Sequence, residues 1–308
     1  MIRRHTAFIM GAGTSVPYGF PSGEGLMRIA QSLSLEGLKQ KLYAPDLREV
    51  ALHDALQSSY DPSLDALLEL REDITPVGKR LMASLLLEIE FNSRERPLPD
   101  DHWLSLFFQE LTAGTRSLED FAGNQITVIT YNYDRLLEFR LSRALRAHYG
   151  RAEEECIAVL KKIPIIHLHG DLGPLPGFAA QGTVPFGPQP DDEQRHFNRC
   201  IDRAAERIVV VHEAKDETED FERARHAVSH AELVVLLGFG YGTTNIDRLR
   251  LAQWRHGVGI LGSAFRLSVS RIAFARRPFQ EAGHQINFGE PSEATRTFLD
   301  NRLRIFRD

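Results

Sequence analysis

Four short apolar runs constrain this chain more than any other feature. Each ends in small or polar residues, and each is followed by a helical pattern. The runs Thr6–Met10, Ile126–Thr130, 163–168 and Leu233–Leu237 lead into Gly11-Ala12-Gly13, Tyr131-Asn132-Tyr133-Asp134, His169-Gly170 and Gly238-Phe239-Gly240. Near-continuous apolar runs fit strands of a parallel sheet covered on both faces. A further candidate is 207–212, with weaker ones at 260–261 and Ile286–Phe288. Between them lie amphipathic helical patterns. Residues 133–148 place Leu137, Leu141, Ala144 and Leu145 on one face and Arg140, Arg143 and Arg146 on another, and 219–231 align Phe221, Ala224, Val228 and Ala231. The alternation predicts an α/β fold, a doubly wound, mostly parallel Rossmann-like sheet.

Residues 34–122 break this rhythm. "SLDALLELRED", "KRLMASLLLEIEF" and "DHWLSLFFQELT" are helical by period, and no strand is evident. They predict an inserted helical subdomain. A single domain over 1–308 would then comprise a core from 1–33 and 123–290, the insertion, and a C-terminal helix in 291–308. Residues 173–190 hold four glycines and five prolines, which predicts a long irregular surface loop.

Composition narrows the function classes. The net charge of −5 argues against direct nucleic-acid binding by the chain as a whole. No stretch approaches the roughly 20 apolar residues of a membrane helix, and the apolar run after Arg3 and Arg4 is too short for a secretory signal. The only two cysteines, Cys156 and Cys200, make neither a disulfide framework nor a four-thiolate zinc site, so a reducing cytoplasm is expected.

The strand ends carry the candidate chemistry. "GAGTSVPYGFPSGEGL", residues 11–26, has the layout of a phosphate loop: strand, Gly-Ala-Gly, then a helix start. Val16 replaces the third glycine of the dinucleotide fingerprint, and the absence of Gly-Lys-Ser/Thr excludes a P-loop. A tight turn packing helix on strand explains the same residues. In "ITVITYNYDRLLE", Asn132 offers an amide and Asp134 a carboxylate at the strand's C-terminal end; both residue types also serve as helix caps. In "IPIIHLHGDLG", His167 and His169 share a strand face by spacing. One can act as base or ligand and the other as a packed neighbour, or both can be structural. "GFGYGTTN", from Gly238 to Asn245, is a second glycine-rich junction suited to a ribose, a phosphate or a tight turn. In a doubly wound sheet all four junctions converge on one edge.

In this order, Gly-Ala-Gly-Thr-Ser, Thr-Tyr-Asn-Tyr-Asp, His-Leu-His-Gly and Gly-Phe-Gly-Tyr-Gly resemble the sirtuin-like family over residues 7 to about 250. The likeness is to the bacterial branch associated with NAD hydrolysis in anti-phage defence, rather than to the protein deacylases. It implies that Gly11, Ala12, Gly13, Thr14 and Ser15 cradle the pyrophosphate and nearby ribose, with Pro21 covering the nicotinamide end. Asn132, beside Tyr131, would hold the nicotinamide ribose or the attacking water, Asp134 would orient the nicotinamide, and His169 would be the base. Gly238, Phe239, Gly240 and Asn245 would lie along the adenosine half. His167 would be a packing neighbour one pleat deeper.

Two departures from the deacylases matter. Where they insert a four-cysteine zinc ribbon, this chain has the Pro/Gly-rich loop and only Cys200, so no structural zinc is expected. Ser22-Gly23 replaces their acidic-aromatic pair, which leaves water as the acceptor. The implied activity is cleavage of NAD, as substrate, to ADP-ribose and nicotinamide. A non-catalytic NAD or ADP-ribose binding module is the alternative; deacylation or ADP-ribosyl transfer is disfavoured. A toxic NAD hydrolase needs control, which implies a homo-oligomer or a partner, such as an ATPase or sensor protein. The Leu- and Phe-rich insertion is a candidate contact surface, although its own core explains most of those residues.

Overall fold

The computed structural model describes residues 1–42, 47–189, 195–210 and 218–302. Its centre is a six-stranded, all-parallel sheet: β1 (Thr6–Met10), β2 (Ile126–Thr130), β3 (Ile165–His167), β4 (Leu233–Leu237), β5 (Gly259–Gly262) and β6 (Ile286–Phe288). The spatial order is β3-β2-β1-β4-β5-β6, the Rossmann-like order. β1 and β4 are buried at every position because helices cover both faces. Alternate side chains enter different cores. Phe8 and Met10 join Val128, Val235 and Leu237 on one face, and Ala7 and Ile9 join Ile129, Val234 and Leu236 on the other.

Between β1 and β2 the described residues are helical. The helices Leu35–Leu42, Glu49–Ser58, Leu64–Leu70 and Thr75–Arg94 form a separate core, joined by the later helix Arg195–Arg207. Trp103–Thr112 packs instead on the sheet, where Phe107 meets Phe8 edge-on at 5.0 Å. The apolar residues of "LMASLLLEIEF" and "WLSLFF" lie mostly inside these two cores, so they offer little outward contact surface. The C-terminal helix is Thr295–Asp300; residues 303–308 lie outside the described residues. It packs on Trp103–Thr112, and Arg296 bonds Asp101, the His102 carbonyl and Ser105. Among the described residues no helix is long and apolar enough to cross a membrane.

Two expectations are corrected. The candidate strand 207–212 is not a strand where described. Arg207 ends a helix, and Ile208 and Val210 turn into the helical core rather than onto the sheet. Val209 reaches the chain just past β3, its N–H donating to the His169 carbonyl at 2.9 Å, and Arg207 pairs with Asp171 there; residues 211 and 212 lie outside the described residues. Residues 173–189 are irregular, as their composition requires, but only the middle of the segment is a surface loop, with Pro176, Gly177, Ala180, Gln181 and Gly182 exposed. Leu175, Val184 and Phe186 are buried, and Phe186 stacks on Phe139 at 3.9 Å.

The loop is held by Arg135, which follows Asp134 directly. Arg135 and Glu90 form an ion pair that is 2% and 0% exposed. The guanidinium also donates to the carbonyls of Gly173, Val184 and Pro185, at 2.8, 2.6 and 3.0 Å, and Glu90 accepts from the Gly187 N–H at 3.1 Å. Arg135→Leu strands a buried carboxylate and three carbonyls, and is expected to cost roughly 3–5 kcal/mol in urea unfolding. The double variant Glu90→Leu/Arg135→Leu should recover part of that loss, because no charge is then left unpaired.

Candidate functional site

The site is built where the sheet's strand order reverses, between β1 and β4, the place where open α/β sheets bind ligands. The residues after β1 do not enter a helix at once. Two single 3-10 turns, Ala12–Thr14 and Val16–Tyr18, come first, and the helix Gly23–Gln31 begins only after Ser22 caps it by accepting from the Gly25 N–H. The helix start therefore sits at the Pro-Ser-Gly turn. Pro17 and the left-handed Gly19 shape the detour, and the insertion clamps it. Trp103 Nε1 donates to the Thr14 carbonyl at 2.8 Å, and the Tyr18 hydroxyl pairs with His102 Nδ1 at 2.8 Å.

The glycines serve loop-to-loop packing. A Cβ on Gly13 would lie 2.7 Å from Gly238 Cα, and one on Gly238, whose φ is +55°, would lie 2.3 Å from Thr14 N. Gly11 N–H donates to the Leu237 carbonyl and Gly13 N–H to the Gly238 carbonyl, both at 3.0 Å; Thr14 and Ser15 N–H groups close local turns. Those four amides are committed within the chain. Four of the five residues in the candidate cradle thus use their amides within two βα junctions zipped together, and Ala12 lines the neighbouring cavity.

Beside this zipper opens a cavity of about 240 Å³. Gly11, Ala12 and Pro21 form one wall, Tyr131, Asn132 and Asp134 another, and Phe239, Gly240 and Asn245 a third. Gly13, Thr14, Ser15, Gly238 and His169 are not on its surface. The volume is just under the roughly 300–1,000 Å³ of small-molecule sites, enough for part of a dinucleotide.

Asn132 is fixed from behind. Its Nδ2 points at the Gly11 carbonyl, Thr14 Oγ1 and Ser15 Oγ at 3.2–3.3 Å, while its buried Oδ1 takes no hydrogen bond from the protein. Ser15 Oγ donates in turn to Asp134 Oδ1 at 3.1 Å. Burial pushes the Asp134 carboxyl up to about 6, against the lowering effect of Ser15.

The two histidines separate. The spacing predicts one shared face, but β3 ends at His167 and the chain turns through Gly170 at φ +75°. His167 lies towards the helix Leu136–Tyr149, with Nε2 on Glu138 Oε1 at 2.8 Å and Nδ1 on the Asn132 carbonyl at 2.9 Å. It lines a small void of about 20 Å³ behind Asn132, shared with Thr14, Ser15 and Asp134. His169 turns to the opposite side, against Tyr131 and Phe221 at ring distances of 5.6 and 6.0 Å. It is 6% exposed, its Nδ1 has no partner, and Tyr131 stands on the cavity wall while His169 does not. Burial alone would lower His167, but Glu138 overcomes this and lifts it to about 9. Burial, with Arg248 adding to it, takes His169 down to about 4. One imidazole is a paired cation at neutral pH and the other is neutral.

Three contributors escape the sequence reading. Asp65, from the helix Leu64–Leu70, lines the cavity and accepts from the Tyr133 hydroxyl. Glu138 pairs with His167. Glu90 holds Arg135, and a carboxylate inside the apolar "LLLEIEF" was the one signal available for it. Among the described residues no group of three or more His, Cys, Asp or Glu side chains is placed to hold a metal, and the buried Cys156 and Cys200 are not joined in a disulfide. A scan of the chain against protein-family models and a search of curated proteins both find no match.

The His167–Glu138 pair gives stability a defined pH dependence. The folded-state value near 9 exceeds the unfolded value near 6.5, so the stabilisation is complete below about pH 6.5 and disappears as pH rises towards 9. Thermal melting should therefore fall between pH 6.5 and 9.5. Glu138→Gln should lower the melting temperature at pH 7 and flatten that slope. An unchanged slope in Glu138→Gln would remove the pair as its cause.

Proposed function

We propose that this chain is an NAD hydrolase that cleaves the nicotinamide–ribose bond, with water as acceptor. The observation that carries the reading is the setting of Asn132. An amide with three acceptors arrayed behind it sits on a cavity at the sheet's switch point, its Oδ1 free of protein partners, beside a carboxylate that titrates near neutrality. The sequence resemblance assigns the same asparagine to the nicotinamide ribose or the attacking water.

In the proposed reaction the C1′–N bond breaks and its electron pair passes to the pyridinium nitrogen, releasing neutral nicotinamide. The ribosyl oxocarbenium ion is captured at C1′ by water, which loses one proton. The products are nicotinamide, ADP-ribose and H⁺. Asn132 Oδ1 can accept from a ribose hydroxyl or from the water, and Asp134 is an anion close to the developing cation. His169, neutral at physiological pH, keeps the lone pair that a base needs. It stands behind Tyr131, so its part requires that ring to yield. That placement is also what favours the second reading, a non-catalytic module binding NAD or ADP-ribose. The role in anti-phage defence, the cytoplasmic setting, and control by self-assembly or a partner protein rest on the resemblance alone.

The test is release of nicotinamide from NAD by the purified full-length protein. Asn132→Ala and His169→Ala should each reduce turnover by about 10²–10⁴-fold with melting behaviour preserved. Turnover should have an acidic limb near pH 6, where Asp134 protonates and its negative charge is lost. NAD binding without nicotinamide release would establish the binding module instead.

A further inference from the structure

The acids around the site fall into two groups. Glu90 pairs with Arg135, Glu138 with His167, and Asp171 with Arg207. Asp65 and Asp134, the two acids on the cavity wall, form no ion pair among the described residues; they are held by the Tyr133 hydroxyl and by Ser15 and the Leu136 N–H. No lysine or arginine is among the residues lining the cavity. Its remaining surface is largely aromatic and apolar, with Phe20, Tyr131 and Phe239 contributing rings. Tyr131 and Phe239 touch each other, their centroids 5.2 Å apart.

Acids that face a cavity without an ion-pair partner, beside aromatic faces, suit one class of ligand. Flat organic cations gain from both the carboxylate charge and the ring quadrupole. An anion or a neutral polar group gains from neither. Burial raises both carboxyls above the ordinary range. Charge matching by a bound cation would relieve that burden.

We propose that this cavity is a subsite for a planar organic cation, and that Asp65, contributed by the helical insertion, is a specificity-determining residue within it. On the NAD reading, on which only this last identification rests, the cation is the pyridinium ring of oxidised NAD. The site should then distinguish it from the uncharged dihydropyridine of NADH. The insertion acquires a defined role, because it brings to the sheet edge a second acidic group beside Asp134 of the β2 junction.

The experiment compares charged and uncharged rings on the intact protein. Binding of 1-methylnicotinamide, a permanent cation, and of nicotinamide, its neutral relative, is measured by NMR titration; NAD, NADH and ADP-ribose are measured by calorimetry. Wild type should favour 1-methylnicotinamide over nicotinamide by about tenfold or more, equivalent to about 1.4 kcal/mol, and NAD over NADH. Asp65→Asn, which keeps the shape and can still accept from Tyr133, should abolish both preferences and leave ADP-ribose affinity unchanged. Asp65→Glu should restore part of the discrimination. Equal binding of the two rings by wild type, or no binding of either, overturns the proposal without recourse to any variant. Discrimination that persists in Asp65→Asn overturns the role of Asp65. If the methylated ring is selected but NAD is neither bound nor cleaved, the NAD reading fails and the cation subsite stands. If NAD is cleaved while the rings bind equally, the outcome is the reverse.

Discussion

The candidate site depends on the buried ion pair of Glu90 and Arg135. Removing two charges from water is expensive, and such a pair is stable only when the remaining donors are satisfied. Here five hydrogen bonds leave the guanidinium, two to the carboxylate and three to carbonyls of the 173–187 segment. The pair therefore joins three otherwise separate parts: the insertion helix Thr75–Arg94, the segment leaving β2, and the proline-rich loop. Asp134 is adjacent to Arg135 and Asn132 is two residues before it. A shift of the arginine would be transmitted directly to both. The irregular loop has few ladder hydrogen bonds of its own, and the arginine gives its carbonyls partners in place of water.

What was legible in the sequence follows from periodicity. β1, β2 and β4 were readable because strands buried on both faces must be apolar throughout, and their polar C-terminal junctions follow from where such sheets place ligands. The helical character of 34–122 was equally plain. Less legible was anything set by distant contacts. Nothing near "SLDALLEL" says that Asp65 would meet Tyr133, 68 positions away. The apolar stretch at 207–210 looked like a strand because burial, not sheet membership, makes a segment apolar. Ile208 and Val210 are buried against helices. The period-two argument failed for the histidines for a related reason. Alternation holds only while the backbone stays extended, and β3 ends at His167.

The opening loop shows how one sequence pattern can serve a different physical purpose. Small residues allow a close approach, but the pattern does not say of what. In this chain the approach is between the β1 and β4 junctions, whose backbones meet at Gly11, Gly13 and Gly238. The zipper borders the cavity and engages the Gly11 and Gly13 amides within the chain. Side chains, chiefly Asn132, Asp134 and Asp65, then define what the cavity offers.

The electrostatic sum of the site is also set by its second layer. A lone imidazolium behind Asn132 would oppose any cationic ligand in the adjoining cavity. Glu138 offsets that charge through its hydrogen bond to His167, although His167 still acts on the neighbouring Asp134 and lowers its carboxyl against the effect of burial. On the other side His169 contributes no charge, since burial and Arg248 hold it neutral. Asp65 and Asp134 are the acids on the cavity wall, and Arg248 and Arg225 act on Tyr131 of that wall. Burial raises the affinity of both acids for protons, so holding them ionised costs free energy. Such a penalty is the expected signature of groups arranged for a ligand's charge rather than for the stability of the fold.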